Sequence, residues 1–433
     1  MPPAGGGTEE HMATNEELHA QRMKRIHDAV ALKEPDRVPI IGWGTQTFFA
    51  MDAGYTVAEC IYDYEKAKDA IRKFLAHYEP DAGCVLGTAF EGQGQILDLL
   101  QPTTLLWAGM AGREMDPNGV HQFLEFELLE DDELHELADN FNGCFLTKVL
   151  PRAFKCMEPM KHFNLDDTMN MTMGSSPVAG LMAALSNPEV KQMIETLQKA
   201  QELQEAFNGQ MFAFLGEVEG MGFPVMTGPP TFCSYDFYSD YLRGTMSTSQ
   251  DLYENPEYLK AFMDHHVQII LDRIAAMPPL PGRMCFMPMH KGMDGFLSTE
   301  HYGEFYWPYL MKIVNAWIDA GAIPYVYTEA CYDGRVEFLK QLPPGKCIVH
   351  FEESKDIEML KREVGATNCI SGIYPARLLV TGTKQQVVDE AKRIMDVFAP
   401  GGGYVFDFDG GVYDAKRENV EALFECIKDY GKY

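Results

Sequence analysis

Four short apolar segments in the C-terminal half each end on a side chain that can titrate or bind a metal. The segments are Cys285–His290, Pro324–Glu329, Lys346–His350 and Tyr404–Asp409, and their last residues include His290, Glu329, His350, Asp407 and Asp409. In a closed parallel barrel the carboxyl ends of the strands meet at one mouth, so residues far apart in sequence become neighbours. The spacing therefore predicts an enzyme with its chemistry at that mouth.

Acid–base or metal-assisted catalysis is the chemistry that these side chains offer. Glu329, His350 and Asp409 carry groups that serve as proton donors or acceptors and as zinc ligands. Tyr327 would face the same side of a regular strand as Glu329, from where its hydroxyl could donate to a substrate oxygen. His290 is a further candidate donor to substrate. The structural alternatives are a salt bridge at the rim, a core histidine and a turn cap.

Aromatic side chains could form the walls of a pocket for an aromatic substrate. The candidates are Tyr235, Phe237, Tyr306 and Trp307. Ordinary packing is an equally good interpretation of each, because aromatic rings dominate protein cores.

The elements that must position these residues alternate regularly between strand and helix. Strands are predicted near residues 38, 83, 223, 286, 325, 347, 369 and 404. Helices are predicted between the later strands at 256–276, 300–320, 334–341, 356–364, 384–398 and 416–429. This alternation is typical of a parallel sheet. It predicts an α/β fold, a single (β/α)8 TIM-type barrel, and no GxGxxG motif follows a strand to favour a dinucleotide-binding fold.

The N-terminal half adds helices to this barrel. A helical arm is predicted over Asn15–Leu32, a further helix over Val57–Tyr78 and a hairpin strand over Val120–Leu128. A helical insertion is expected near residues 88–220; its long helix is capped by Ser186 or Asn187 and runs to Phe214. The expected organisation is one domain over residues 14–433, after a leader at residues 1–13 that is Gly/Pro-rich and expected to be disordered.

Composition narrows the classes of function and partner. The chain has 433 residues and a net charge of −28, from 36 basic and 64 acidic residues. Such a surface repels nucleic acid and anionic membranes, and no apolar run reaches the roughly 20 residues that a membrane span needs. The ten cysteines are scattered without a C-x-x-C pair, which is typical of a reducing cytoplasm. The sequence therefore predicts a cytoplasmic protein and leaves a homodimer open.

Several motifs resemble those of the uroporphyrinogen decarboxylase superfamily. Residues 33–39, Lys-Glu-Pro-Asp-Arg-Val-Pro, resemble the entry to its first strand. Motifs that resemble its methyltransferase branch are Tyr241–Gly244, His290–Gly292, Phe305–Pro308, Gly372–Pro375 with Thr381–Thr383, and Gly401–Tyr404 with Glu418 and Asn419. The resemblance covers roughly residues 14–433 and implies a (β/α)8 barrel, in agreement with the strand count.

Two branches of that superfamily fit the sequence less well. Porphyrinogen decarboxylases carry an arginine-rich loop after the first strand, and residues 42–48 contain no arginine. The branch that methylates small thiols with zinc carries His-x-Cys at the fifth strand and a cysteine after the eighth. Here Tyr327-Thr328-Glu329 and Asp409 stand at those places, so the thiolates that activate a zinc-bound thiol are missing.

The best resemblance is to the corrinoid-dependent methyltransferases that demethylate methoxylated aromatics. Glu329 followed by His350 resembles part of their zinc motif, while Val314 and Asn315 stand where the motif has an upstream glutamate. The resemblance implies transfer of a methyl group from a small aromatic methyl ether to the corrinoid (cobalamin) of a partner protein. It also implies acid or Lewis-acid help to the leaving phenolate, with zinc on Glu329, His350 and Asp409. A lyase like uroporphyrinogen decarboxylase and a non-catalytic protein that binds a methyl donor or corrinoid are the alternatives.

Overall fold

The computed structural model describes residues 13–42, 47–82, 90–163 and 178–433. Helix α1 (Asn15–Val30) begins with a capping box, in which Thr14 and Glu17 each accept a hydrogen bond from the other's backbone amide. It confirms the predicted helical arm. Next come α2 (Phe48–Asp52), α3 (Val57–Tyr62) and α4 (Tyr64–Tyr78). Asp63 caps α4 and divides the single helix predicted over Val57–Tyr78.

The next part of the chain is largely helical, as predicted. Its elements are α5 (Gly94–Leu100), β1 (Leu105–Leu106), β2 (Gln122–Phe123), α6 (Leu134–Asp139), α7 (Phe141–Cys144), α8 (Leu150–Ala153), α9 (Ala179–Ser186) and α10 (Pro188–Gly220). The predicted hairpin strand shrinks to β2, which pairs with β1 in antiparallel fashion. Asn187 is the residue that caps α10, because its side chain accepts from the Glu189 amide, and the helix continues past the predicted end.

A parallel sheet forms the centre of the molecule. Its strands, in both spatial and chain order, are β3 (Met284–Met289), β4 (Ile323–Cys331), β5 (Ile348–Glu353) and β6 (Cys369–Gly372). Parallel bridges extend it from Met284 to Thr227 on one side, and from Ile370 to Tyr404 and from Phe406 to Ile40 on the other. Seven of the predicted strands therefore stand next to one another in the order of a (β/α)8 barrel. The remaining one, predicted at Ala82–Leu86, lies outside the described residues from Gly83 onward.

Helices follow these strands and cover the sheet. They are α11 (Ser234–Tyr238), α12 (Gly244–Glu254), α13 (Pro256–Ala275), α14 (Thr299–His301), α15 (Trp307–Asp319), α16 (Val336–Leu339), α17 (Ile357–Glu363), α18 (Arg377–Thr381), α19 (Lys384–Phe398) and α20 (Arg417–Tyr430). Helix α15 illustrates why they pack: Leu310, Ile313, Val314 and Trp317 recur at helical spacing and are all buried. Val314 thus belongs to the core.

The motif at residues 33–39 has a structural role at the other end of the sheet. Asp81 is fully buried and accepts hydrogen bonds from Arg25, Arg37 and the Ile40 amide. Arg25 also pairs with Asp36. This network fixes the entry to the first strand and lies away from the predicted mouth. Among the described residues, no helix combines the length and apolar character needed to cross a membrane.

Candidate active site at the strand ends

His290 lies directly after β3 and is held between two carboxylates. Its Nδ1 is 2.5 Å from Asp240 Oδ2, and its Nε2 is 3.3 Å from Glu329 Oε1. The side chain of Asp240 is 7% exposed, whereas those of His290 and Glu329 remain 28% and 35% exposed. Asp240 therefore holds the Nδ1 side of the imidazole in the protein interior, and the Nε2 side faces the open mouth.

These two carboxylates keep His290 in its charged form. Burial disfavours the charge, but the hydrogen bonds with Asp240 and Glu329 outweigh it and raise the pKa of His290 to about 11. An imidazolium has N–H donors on both sides and no acceptor. His290 is thus a hydrogen-bond donor through both ring nitrogens at neutral pH, and the two carboxylates that hold it lie on different elements.

Helix α11 and the π-helical turn that follows it supply two aspartates to this site. Asp236 and Asp240 are spaced by one helical turn, so both face the loop after β3. Asp236 accepts from the Lys291 amide at 2.8 Å and from the Tyr306 hydroxyl at 2.5 Å. Burial raises the pKa of Asp236 to about 7. The Lys291 ammonium lies 3.3 Å from Asp240 Oδ1, so Asp240 also balances a second cation.

His350 lies deeper between the strands and has a different environment. Its ring is fully buried, and it stacks on Tyr327 with ring centroids 3.8 Å apart. Nδ1 is 3.0 Å from the Tyr325 hydroxyl and 3.2 Å from Ser371 Oγ. Burial lowers the pKa of His350 to about 3, so the ring is neutral. Burial also raises the pKa of Tyr327 well above its usual value, and its phenol keeps its proton.

Asp409 and Glu352 form a second acidic group beside the mouth. Asp409 Oδ1 accepts from the Ala376 amide at 2.9 Å, and Glu352 Oε2 accepts from the Ala330 amide at 2.6 Å. Burial raises the pKa of Asp409, and it raises the pKa of Glu352 to about 7. Both carboxyls line an open cleft of about 690 Å³, together with Arg377.

The expected zinc site is not assembled in the described part of the chain. No group of three His, Cys, Asp or Glu side chains there is arranged to hold a metal ion. His350 Nδ1 is occupied by hydroxyl groups, and its Nε2 faces the Asp409 backbone carbonyl at 3.5 Å, not the carboxylate. Glu329 points to His290 instead of His350. The residues present do not fit zinc, because Glu329 contacts His290, Asp409 Oδ1 accepts from the Ala376 amide, and the ring nitrogens of His350 face hydroxyl groups and a backbone carbonyl.

The four predicted aromatic residues lie mainly in the helical layer. Trp307 packs against Tyr302 and Phe338, and Phe237 stacks on His266. Tyr235 is buried next to Tyr306. These contacts favour the packing interpretation for Tyr235, Phe237 and Trp307. Tyr306 alone of the four has a hydrogen bond to the site, through Asp236.

Sequence reasoning missed three acidic residues of this site. Asp236 lies on α11 and Asp240 on the π-helical turn after it, and both follow the strand predicted near residue 223. Only their spacing of four residues indicates that they share a face. Glu352 was missed because the strand was predicted to end at His350, whereas β5 continues to Glu353. Continuing the predicted strand by two residues places Glu352 on the same face as His350, at the mouth.

A family model described as Uroporphyrinogen decarboxylase (URO-D) matches residues 177–430, more than half of the chain. No curated protein matches the sequence. Among solved structures, a methyltransferase from Methanosarcina mazei matches with a TM-score of 0.56 and 12% identity, over 94% of this chain and 98% of that chain. At this identity the likeness concerns the fold.

Proposed function

The chain belongs to the uroporphyrinogen decarboxylase family, whose fold is a TIM barrel, and from that membership we propose that it is a corrinoid-dependent methyltransferase. The donor is an O-methylated aromatic of the methoxyphenol class, and the acceptor is the reduced corrinoid of a partner protein. The fold shared with a methyltransferase and the absence of arginine from residues 42–48 support this branch of the family over porphyrinogen decarboxylation.

The observation that carries the proposal is the position of His290 at the mouth, between Asp240 and Glu329. Displacement at a methyl carbon leaves the electron pair of the broken C–O bond on a phenolate, whose conjugate acid has a pKa near 10. His290 Nε2 carries a proton that it can donate to that oxygen once the ether displaces Glu329, because loss of this carboxylate lowers the pKa of His290 from about 11. A positioned acid commonly contributes roughly 10²–10⁴-fold to the rate.

The residues of this chain bind the donor and handle its proton. The ether oxygen accepts from His290 Nε2 in place of Glu329 Oε1, the longer of the two contacts of His290. Asp240 holds the ring throughout. The methyl carbon then forms its bond to the acceptor while the C–O bond breaks, and the proton moves to the oxygen, which leaves as a phenol. Glu329 returns to stabilise the imidazolium after His290 takes a proton from water.

A reduced corrinoid supplies a cobalt(I) nucleophile stronger than any amino-acid side chain. Because it would be carried by another protein, this chain needs only an open approach to the donor. The exposed fractions of His290 and Glu329 are consistent with that approach. No step requires zinc.

Methyl transfer can be measured with 2-methoxyphenol as donor and reduced cobalamin, free or on a corrinoid protein, as acceptor. We expect loss of the absorbance of the reduced corrinoid and release of catechol, both dependent on this protein. Absence of turnover across a panel of methoxyphenols, with free cobalamin and with corrinoid proteins, would contradict the proposed donor class.

A lyase that acts on a small carboxylic acid is the second candidate. Arg377 in the cleft favours it, since a guanidinium can bind a substrate carboxylate. However, the same cleft carries Glu352 and Asp409, and its other arginine, Arg393, is paired with Glu390. Release of carbon dioxide without any corrinoid would support the lyase over the methyltransferase.

A further inference from the structure

The strand that carries Glu329 is irregular at that residue. Thr328 of β4 pairs with Phe351 of β5, and the next pair is Cys331 with Glu353. Glu329 and Ala330 therefore stand opposite Glu352 alone. This is a β-bulge, in which the extra residue bends the strand and re-aims a side chain, often next to an active site.

Ala330 has a backbone conformation that has to be stabilised by its surroundings. Its φ is +63°, in the left-handed region that residues other than glycine adopt only at an energetic cost. The amide of Ala330 donates to Glu352 Oε2 at 2.6 Å. Glu352 is thus both the residue opposite the bulge and the acceptor for the bulged amide.

The bulge has a consequence for His290. The Ala330 amide belongs to the peptide that follows Glu329, so fixing this amide fixes the backbone from which the Glu329 side chain leaves. The Glu329 carboxylate is thereby turned toward His290, which follows β3, and Oε1 lies 3.3 Å from Nε2. It is not turned toward His350 on β5, the strand on the other side of β4. Without the bulge, the regular alternation of the strand would not turn the Glu329 carboxylate toward β3.

We propose that Glu352 is a positioning residue, which holds the bulge at Ala330 and thereby turns Glu329 toward His290. Its significance for catalysis rests on the proposed function, in which His290 donates a proton. The contact itself can be tested without any substrate.

The test is the titration of His290, followed by histidine side-chain NMR in the whole protein. The groups that face the ring are Asp240 and Glu329, with Asp236 and Lys291 close by. In Glu352→Ala we expect Glu329 to leave the ring and the pKa of His290 to fall by one unit or more. In Glu352→Gln the side-chain oxygen still accepts from Ala330, so the titration should stay close to that of the unmodified protein.

Two further variants separate positioning from a general loss of structure. Glu353→Ala removes the neighbouring carboxylate of the same strand and should leave the titration of His290 unchanged. The double variant Glu352→Ala with Ala330→Gly should recover it, because glycine adopts a positive φ without the cost that Ala330 bears. An unchanged titration in Glu352→Ala, or an equal fall in Glu353→Ala, would overturn the proposal.

Methyl transfer measured in parallel distinguishes the two hypotheses. We expect Glu352→Ala to lose about 10-fold in kcat/KM, and the double variant to regain most of this loss. A shifted titration in a protein that transfers no methyl group would retain the positioning role and refute the proposed function. A slower transfer with an unshifted titration of His290 would refute the positioning role and retain the proposed function.

Discussion

His290 and His350 follow the same sequence pattern but acquire opposite properties. Each stands at the end of a predicted strand in neighbouring parts of the parallel sheet. His290 lies between the carboxylates of Asp240 and Glu329 and is kept charged. His350 lies among the Tyr325 and Ser371 hydroxyls with the Tyr327 ring on its face, and is kept neutral.

This difference shows that the neighbours of a residue decide its chemistry more than its type. A charged imidazole at a partly open mouth can give a proton to substrate. A neutral imidazole that is fully buried accepts and donates hydrogen bonds within the core. We therefore propose acid catalysis for His290 and a supporting role for His350, and the following variants test that division.

The largest effect is expected from removing the proton donor. His290→Gln retains hydrogen-bonding capacity but cannot carry the charge, so kcat/KM for methyl transfer should fall by roughly 10²–10⁴-fold. Steady-state kinetics with 2-methoxyphenol measures this. His265→Gln, at an exposed position of α13, is the matched control and should keep full activity. Equal activity of the two variants would end the assignment of His290.

His350 should matter first for stability. His350→Ala removes a buried ring and leaves the Tyr325 and Ser371 hydroxyls without one of their partners, which should lower the free energy of unfolding by about 2–4 kcal/mol. Denaturant unfolding measures the loss. A variant that unfolds like the unmodified protein yet transfers no methyl group would instead place His350 in the chemistry.

The two histidines should also make stability depend on pH in opposite directions. The folded-state pKa of His350, about 3, lies below the unfolded value of 6.5. The unfolded chain then binds more protons between these values, so stability falls with falling pH, by at most about 1.4 kcal/mol per unit. For His290 the folded-state pKa, about 11, lies above 6.5. Its contribution is complete below pH 6.5 and is lost as the pH rises through 11.

Unfolding measured across the pH range resolves the two contributions. His350→Gln should flatten the acid side of the stability curve, and His290→Gln should flatten the alkaline side. If both variants change the same side, the contrast between the two sites is wrong.

The smallest effect concerns the charge of the donor. The carboxylates of Asp240 and Glu329 flank His290, the proposed contact of the ether oxygen, and like charges disfavour an anionic ligand. A neutral 2-methoxyphenol should therefore have a kcat/KM about 10-fold higher than 4-hydroxy-3-methoxybenzoate. Competition between the two donors measures the ratio. A preference for the benzoate would indicate that Arg377 binds its carboxylate.

The sequence predicted the framework of this site better than its chemistry. Alternating apolar segments were sufficient to place His290, Glu329 and Asp409 at strand ends, because strand periodicity is local. The bulge at Ala330 and the aspartates on α11 and the following turn come from tertiary pairing, which periodicity does not report. The resemblance to a zinc motif groups Glu329 with His350, whereas the structure pairs Glu329 with His290.

The opposite charge states of His290 and His350 are tested most directly by nitrogen-15 histidine spectra recorded at pH values between 5 and 9, with the two rings assigned by His290→Gln and His350→Gln. We expect His290 to carry protons on both ring nitrogens throughout this range, and His350 to carry only one. Titration of both rings near pH 6.5 would contradict this expectation.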